Sequence, residues 1–349
     1  MSRNILIITQ KVDEQDDLLG FFVDWIGEFA KHFDRVFVIT LAEGKYDLLD
    51  NVSVYSLGKE RNNSKIARFF NFYKYLFKLV PQSSVIFAHM SPVFVIASWP
   101  VAVIYRRRII LWYLHRSVTF RLKVAEKLCY KIVTAAKESL KFTSDKILET
   151  GHGININKFR TDRSWSEGQL KILSVGRISK IKNYETLLNA VKILKDKGID
   201  FGLKIIGQPV MAPDFEYFEH LKLLKEKLNL GDTVQFLGFV PHNKIYDYYK
   251  ESNVVVGLTP EGGIDKTILE GMASGCIVLT SNKANQKYFG SYTDELIFNH
   301  SDHNDLANKM IALKNNSHEH NKNISCFMVE SVSDHHQLEN LTSKISSLL

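Results

Sequence analysis

The chain has 349 residues, of which 45% are apolar and 24% charged, and a formal net charge of +7. That length exceeds what one core supports, so two domains of roughly 150 to 180 residues are expected. The composition is that of an ordinary globular protein, and the lack of low-complexity tracts or repeats of solenoid length argues against disordered and array architectures.

The amino terminus, MSRNILIITQ, runs straight into a strand, and its apolar run is too short for a secretory signal. A cytoplasmic protein is therefore expected. Apolar runs bounded by turn residues predict strands at Asn4–Thr9, Arg35–Thr40, Val52–Ser56, Val85–His89, Ile109–Leu114 and Lys131–Thr134, with helices between most of them. A second set is predicted at Leu170–Gly176, Gly202–Ile206, Val234–Phe236, Asn253–Gly257 and Ile277–Thr280. Strands alternating with helices in this way predict an α/β fold of two doubly wound domains. The boundary falls in the polar stretch Lys158–Gln169, giving a first domain over 1–160 and a second over 161–333. A last helix is predicted from about Asp334 to Leu349, a separate element over 334–349. Cys129, Cys276 and Cys326 lie far apart without metal-ligand spacing and are read as reduced core thiols.

Ligands of open parallel sheets sit beyond the carboxyl ends of strands. His89 and His115 each end a predicted strand and are candidates for contact with acceptor hydroxyls. A structural, hydrogen-bonded histidine is the competing reading for both.

Charge separates the halves. Residues 1–167 carry a net +8 and the remainder a net −1. Between Lys59 and Lys146 there are 17 basic residues against 4 acidic ones, interleaved with aromatics in Ala67–Val80 and Arg116–Lys131. Basic and aromatic residues mixed on helices suit an anionic membrane surface, and no nucleic-acid module is recognisable, so no nucleic-acid partner is expected. A merely solvated basic face is the competing reading. The run Val85–Tyr105 has no Asp, Glu, Lys or Arg over 21 residues and then meets Arg106, Arg107 and Arg108. Its length would allow a span, but Pro92, Pro100 and His89 fit a buried strand followed by a buried helix better. Peripheral attachment at the inner face of the membrane is the expectation.

Two segments carry chemistry. In Thr259–Val278, TPEGGIDKTILEGMASGCIV, Gly262 and Gly263 leave backbone amides uncovered ahead of a short helix, whose positive end would offer them to a diphosphate. Glu270, further along that helix, is placed to accept hydrogen bonds from a ribose diol. In Lys171–Ala190, KILSVGRISKIKNYETLLNA, an apolar strand ends at Gly176 and delivers Arg177 and Lys182 into one loop. A planar guanidinium and a compact ammonium together suit a diphosphate whose charge grows as it leaves.

The succession GHGININKF (151–159), VGRISKIKN (175–183), IIGQ (205–208), VQFLGFVPHNKIYDYY (234–249) and GGIDKTILEGMASG (262–275) resembles the carboxyl half of glycosyltransferase family 4. The resemblance implies the GT-B architecture, two Rossmann-like domains facing each other across a deep cleft, with the last helix crossing back to the first domain. It implies that Arg177 and Lys182 hold the donor diphosphate and Glu270 the ribose. Gly207 would also lie at the donor, Phe239 and Val240 would line the base pocket, and Gly262, Gly263 and Ile264 would present amides to sugar or phosphate. Gly20, in the loop DDLLGFF, would approach the donor phosphates, with Asp16 and Asp17 beside it towards the acceptor; capping or solvation is the competing reading for both aspartates. His115 matches a position where the family often carries histidine, near the transferred sugar. The family usually has a glutamate eight residues before the one at Glu270; this chain has Gly262 there, so Asp265 or Glu261 is expected to take over part of the sugar contact.

The resemblance further implies a retaining enzyme moving a hexose or N-acetylhexosamine from a nucleotide diphosphate sugar to a glycan or lipid-linked acceptor, in polysaccharide or glycolipid synthesis. There is no D-x-D triplet, so metal independence and no cofactor are expected, and no nucleophile–acid carboxylate pair is obvious; front-face transfer is what the resemblance implies. The alternatives are a nucleotide-sugar epimerase of the same fold and a non-catalytic membrane or scaffold protein.

Overall fold

The computed structural model describes residues 3–161, 168–260 and 262–349. The chain divides into two compact units: Met1–Asn155 with Pro241–Asn243 and His336–Leu349, and Ile156–Val240 with Lys244–His335. The expected linker falls partly on residues 162–167, outside the described residues, as does Glu261.

The first unit runs β1 (Asn4–Val12), α1 (Phe22–His32), β2 (Arg35–Glu43), β3 (Val52–Ser56), α2 (Lys65–Leu79), β4 (Val85–His89), α3 (Pro92–Ile104), β5 (Arg108–Trp112), α4 (Phe120–Leu128), β6 (Lys131–Thr134) and β7 (Ile147–Glu149). The strands form one parallel sheet in the order β3-β2-β1-β4-β5-β6-β7. Strands covered on both faces need continuous apolar runs, and VIFAH in β4 and IILW in β5 supply them. One face packs against α1 through Phe22, Trp25, Ile26 and Phe29, and the other against α2, α3 and α4 through Leu76, Val95 and Leu122. Ser64 and Thr119 accept from the amides of Ala67 and Leu122 and so fix where α2 and α4 begin.

The second unit runs α5 (Ile156–Phe159), β8 (Leu170–Val175), α6 (Tyr184–Asp196), β9 (Phe201–Ile206), α7 (Ala212–Lys227), β10 (Val234–Gly238), α8 (His242–Glu251), β11 (Val254–Gly257), α9 (Lys266–Ala273), β12 (Ile277–Thr280), α10 (Thr293–Leu296), α11 (His303–Asn315) and α12 (His318–His336). Its parallel sheet has the order β10-β9-β8-β11-β12.

The single helix expected from Asp334 is two. Gln337, with φ −61° and ψ 138°, ends α12 and caps a separate α13 (Leu338–Ser346). Leu338, Leu341 and Ile345 of α13 join the α1 side of the first core. Ile154 and Gln337 pair as a parallel bridge, with Ile154 donating to the His336 carbonyl at 2.7 Å and Leu338 to the Ile154 carbonyl at 2.9 Å. Trp25 Nε1 donates to the Gly153 carbonyl at 3.0 Å, and a Cβ at Gly153 would lie 2.6 Å from that indole.

Two expectations need correction. Cys129 and Cys276 are buried, but Cys326 is exposed on α12; all three are free thiols. The run Val85–Tyr105 is a buried strand and a 13-residue helix, yet α3 is buried on one side only, with Val93, Trp99, Val103 and Ile104 exposed. No described helix is long and apolar enough to cross a membrane.

Candidate functional site

The second sheet reverses its direction of growth between β8 and β11, where two neighbouring strands send their connections to opposite sides. Such a reversal opens a crevice at the carboxyl ends of the strands. Three glycines close the edge beside it. Gly176 donates to the Ile206 carbonyl at 2.9 Å, Gly207 donates to the Gly238 carbonyl at 2.8 Å, and Tyr184 Oη donates to the Gly176 carbonyl at 3.0 Å. Gly207 sits at φ +141°, and a Cβ there would lie 1.9 Å from the Gly176 oxygen. Only glycine fits between these backbones.

Lys182 follows β8, and its Nζ lies 2.7 Å from Thr259 Oγ1 and 2.9 Å from Asp265 Oδ2. Thr259 Oγ1 also donates to Asp265 Oδ2. One cation thereby joins the loops that leave β8 and β11, the strands flanking the reversal. Asp265 stands at the N-cap of α9, yet its side chain caps no amide and is spent on Lys182 and Thr259. The first amides of α9 are thus not claimed by the residue that usually claims them. Gly262 and Gly263 lead into this turn and are half-buried, Ile264 is buried, and Asn282 Nδ2, beyond β12, donates to the Gly263 carbonyl at 3.1 Å. Arg177 is exposed at the end of β8, with no hydrogen bond or ion pair to any described residue. Phe239 and Val240 directly follow Gly238 at the end of β10, where Phe239 is exposed and Val240 half-buried.

Glu270 is buried, its Oε2 accepts from Tyr249 Oη at 3.0 Å, and its Oε1 lies 3.4 Å from Lys266 Nζ. Burial and the adjacent Glu270 charge hold the Tyr249 phenol far above its ordinary pKa, so it acts as a neutral donor. Helix α9 carries the carboxylate close to the sheet because a Cβ at Gly271 would meet Val255 at 3.0 Å and one at Gly257 would meet Ile268 at 2.3 Å. Tyr249, on α8, escaped the sequence reading: in the pattern YDYY nothing distinguishes it from its neighbours. Removing its hydroxyl should take away one of the contacts that orient the Glu270 carboxylate. Tyr249→Phe is expected to weaken binding of nucleotide diphosphates about three- to tenfold, the worth of one hydrogen bond to a charged group, as measured by calorimetric titration.

In the first unit the strand order also reverses, between β1 and β4, and His89 ends β4 there. The expectation that it faces a ligand is corrected. Its ring is fully buried and stacked on Phe22 with centroids 3.8 Å apart, and its Nδ1 lies 3.1 Å from Thr9 Oγ1. Burial pushes its pKa down to about 3, so it is a neutral packing element. His115 is exposed just beyond β5, with its ring 6.0 Å from that of Tyr113. Asp16 is committed to its own turn. It accepts from the amides of Leu18 and Leu19 at 3.0 and 2.8 Å and pairs with Lys11 at 2.8 Å. Burial opposes its charge, but Lys11 and those amides outweigh it and hold the carboxyl below its usual range. Gly20 is buried, and a Cβ there would lie 2.7 Å from the Asp16 carbonyl oxygen. Among the described residues no group of three or more His, Cys, Asp or Glu is arranged to hold a metal ion.

Two parallel Rossmann-like sheets with helices on both faces are the GT-B fold of glycosyltransferases. HepE of Anabaena, solved with UDP and glucose, superposes with a TM-score of 0.75 at 14% identity, covering 99% of this chain and 98% of that one. Residues 155–326 match the family model described as glycosyl transferases group 1. Over 168 residues the chain is 26% identical to the alpha-monoglucosyldiacylglycerol synthase of Streptococcus pneumoniae, a match covering 46% of this chain and 36% of that protein. Over 145 residues it is 32% identical to the amylovoran biosynthesis glycosyltransferase AmsK of Erwinia amylovora, covering 40% and 34%. The chain thus spans less than half the length of the curated relatives it matches. The family model thus matches just under half of the chain, and the solved structures share its GT-B fold.

Proposed function

We propose that the protein is a retaining glycosyltransferase that moves a hexose or N-acetylhexosamine from a nucleotide diphosphate sugar to a glycan or lipid-linked acceptor, at the cytoplasmic face of the membrane. The observation that carries this is the cation pair at the reversal of the second sheet: Lys182 fixed by Thr259 and Asp265, with Arg177 exposed on the same loop. Supporting it are the match to group 1 glycosyl transferases and the activities for which relatives in glycolipid and polysaccharide synthesis are named. Superposition on HepE, solved with UDP-glucose, makes uridine diphosphate sugars the first donors to try.

In this reading the diphosphate lies against Arg177, Lys182 and the amides of Gly262, Gly263 and Ile264 that lead into α9, beside the Gly207 turn. Glu270, oriented by Tyr249, takes the ribose diol, and Phe239 and Val240 flank the base. Asp265, already at Lys182, shares the sugar contact; Glu261, the other candidate, lies outside the described residues. The acceptor hydroxyl attacks from the face the leaving group departs, and its proton passes to a donor phosphate oxygen. The two cations stabilise the departing diphosphate, so no metal is required.

Melting the protein against a panel of nucleotide diphosphate sugars, with and without EDTA, tests this. A ligand at 100 times its Kd adds about 2.7 kcal/mol to the native state and should raise Tm by several degrees. A selective shift indifferent to EDTA is expected. No shift with any donor would overturn the reading, and a shift abolished by EDTA would overturn metal independence.

A further inference from the structure

Helix α2 carries two apolar stripes. Phe72, Leu76 and Leu79, at i, i+4 and i+7, are buried against the sheet. Ile66, Phe70, Tyr73 and Phe77, at i, i+4, i+7 and i+11, form a second stripe on another side of the helix, where Ile66, Phe70 and Phe77 are 70%, 67% and 48% exposed. A surface helix needs only one such stripe to dock on its own core. On the same face of the sheet, α3 exposes Val93, Trp99, Val103 and Ile104, and Phe120 at the start of α4 is exposed as well. Scattered exposed apolar residues mean little, but two neighbouring helices with apolar outer sides mark a surface that meets something.

Charge says what. No Asp or Glu occurs between Glu60 and Glu126, a stretch containing all of α2 and α3, while Lys65, Arg68, Lys74, Lys78, Arg106, Arg107 and Arg108 lie within it. Lys74 lies between Phe70 and Phe77 on the exposed side of α2, and Lys78 is also exposed. Aromatic side chains interleaved with cations and unaccompanied by anions complement an interface of acyl chains beneath anionic headgroups.

We propose that the outer sides of α2 and α3 seat the protein on an anionic lipid bilayer, with Ile66, Phe70 and Phe77 entering the headgroup–acyl boundary and Lys74 and Lys78 contacting headgroups. This rests on the membrane-side placement proposed above and names the surface responsible for it.

The test is co-sedimentation of the full chain with vesicles of phosphatidylcholine alone or mixed with phosphatidylglycerol. Partition is expected only on the mixed vesicles and should fall as salt rises. Phe70→Ser with Phe77→Ser, and separately Lys74→Glu with Lys78→Glu, should each lower it at least about tenfold, while Tm and nucleotide-sugar binding stay at wild-type values. Equal partition on neutral vesicles, no partition, or unaltered partition of both variants overturns the proposal. So does a lipid-free dimer that Phe70→Ser with Phe77→Ser dissociates, because the face then belongs to a second copy. Donor binding is scored in the same samples, so absence of vesicle partition by the wild-type chain with its donor binding intact refutes the surface alone. Partition without donor binding refutes the transferase reading alone.

Discussion

Lys182→Ala is expected to lower turnover by about 10²- to 10³-fold with donor binding reduced far less, which corresponds to about 3 to 4 kcal/mol of transition-state stabilisation from one positioned cation. The geometry explains why the loss should be large. The ammonium is held by Thr259 Oγ1 at 2.7 Å and Asp265 Oδ2 at 2.9 Å, so in the proposed transfer it would need little reorganisation as charge develops on the leaving diphosphate. Lys182→Arg should not restore the rate, because a planar fork cannot occupy a position built for a compact point charge. Arg177→Ala should fall less steeply, since that guanidinium is exposed and unanchored among the described residues. Steady-state rates with the donor identified by melting check all three. Wild-type turnover in both alanine variants would remove these residues from the mechanism.

Gly207→Ala should destabilise the second unit by about 3 to 5 kcal/mol, lowering its melting transition on the order of 10 °C, and should abolish donor binding. The new methyl would lie 1.9 Å from the Gly176 oxygen, at a φ of +141° that L side chains rarely adopt. Neither partner can retreat cheaply. Gly176 is tied on one side through its amide to Ile206 and on the other through its carbonyl to Tyr184. Gly198 offers the comparison. It too has a positive φ, +68°, but nothing lies within 4 Å of its missing Cβ. Gly198→Ala should therefore show only the conformational cost, about 1 kcal/mol, and differential scanning calorimetry would separate strain from collision.

The fully buried strands were legible because strands covered on both faces must be continuous apolar runs: Val85–His89 and Ile277–Thr280 end where the residue pattern predicts, and so does the partly buried edge strand Val52–Ser56. Strand β7 was not, since its three residues, Ile147–Glu149, are only half-buried at the sheet edge and leave no run to see. The break at Gln337 was equally invisible, for glutamine is a good helix former and its extended backbone pairs with Ile154, far away in the chain. Within the candidate site, Arg177, Lys182 and Glu270 stood out by type and spacing. What sequence could not supply was pairing across many residues: that Asp265 would be occupied by Lys182, that Tyr249 would meet Glu270, or that His89 would be sealed beneath Phe22. A strand-terminal histidine reads alike whether it faces solvent or an aromatic ring.

The link from Lys182 to Thr259 also constrains how this protein can be altered. It fastens together two loops, Gly176–Lys182 and Leu258–Asp265, that stand some eighty residues apart in the chain, so neither can gain or lose a residue without moving the other's anchor. At the opposite rim of the same sheet, the turn 197–200 contains an open left-handed glycine, Gly198, and its side-chain link to the start of β8, from Gln169 Nε2 to Asp200 Oδ1 at 3.0 Å, is exposed. Insertions, tags and fused domains belong at that rim, and changes in loop length at the other would act as mutations of the lysine itself.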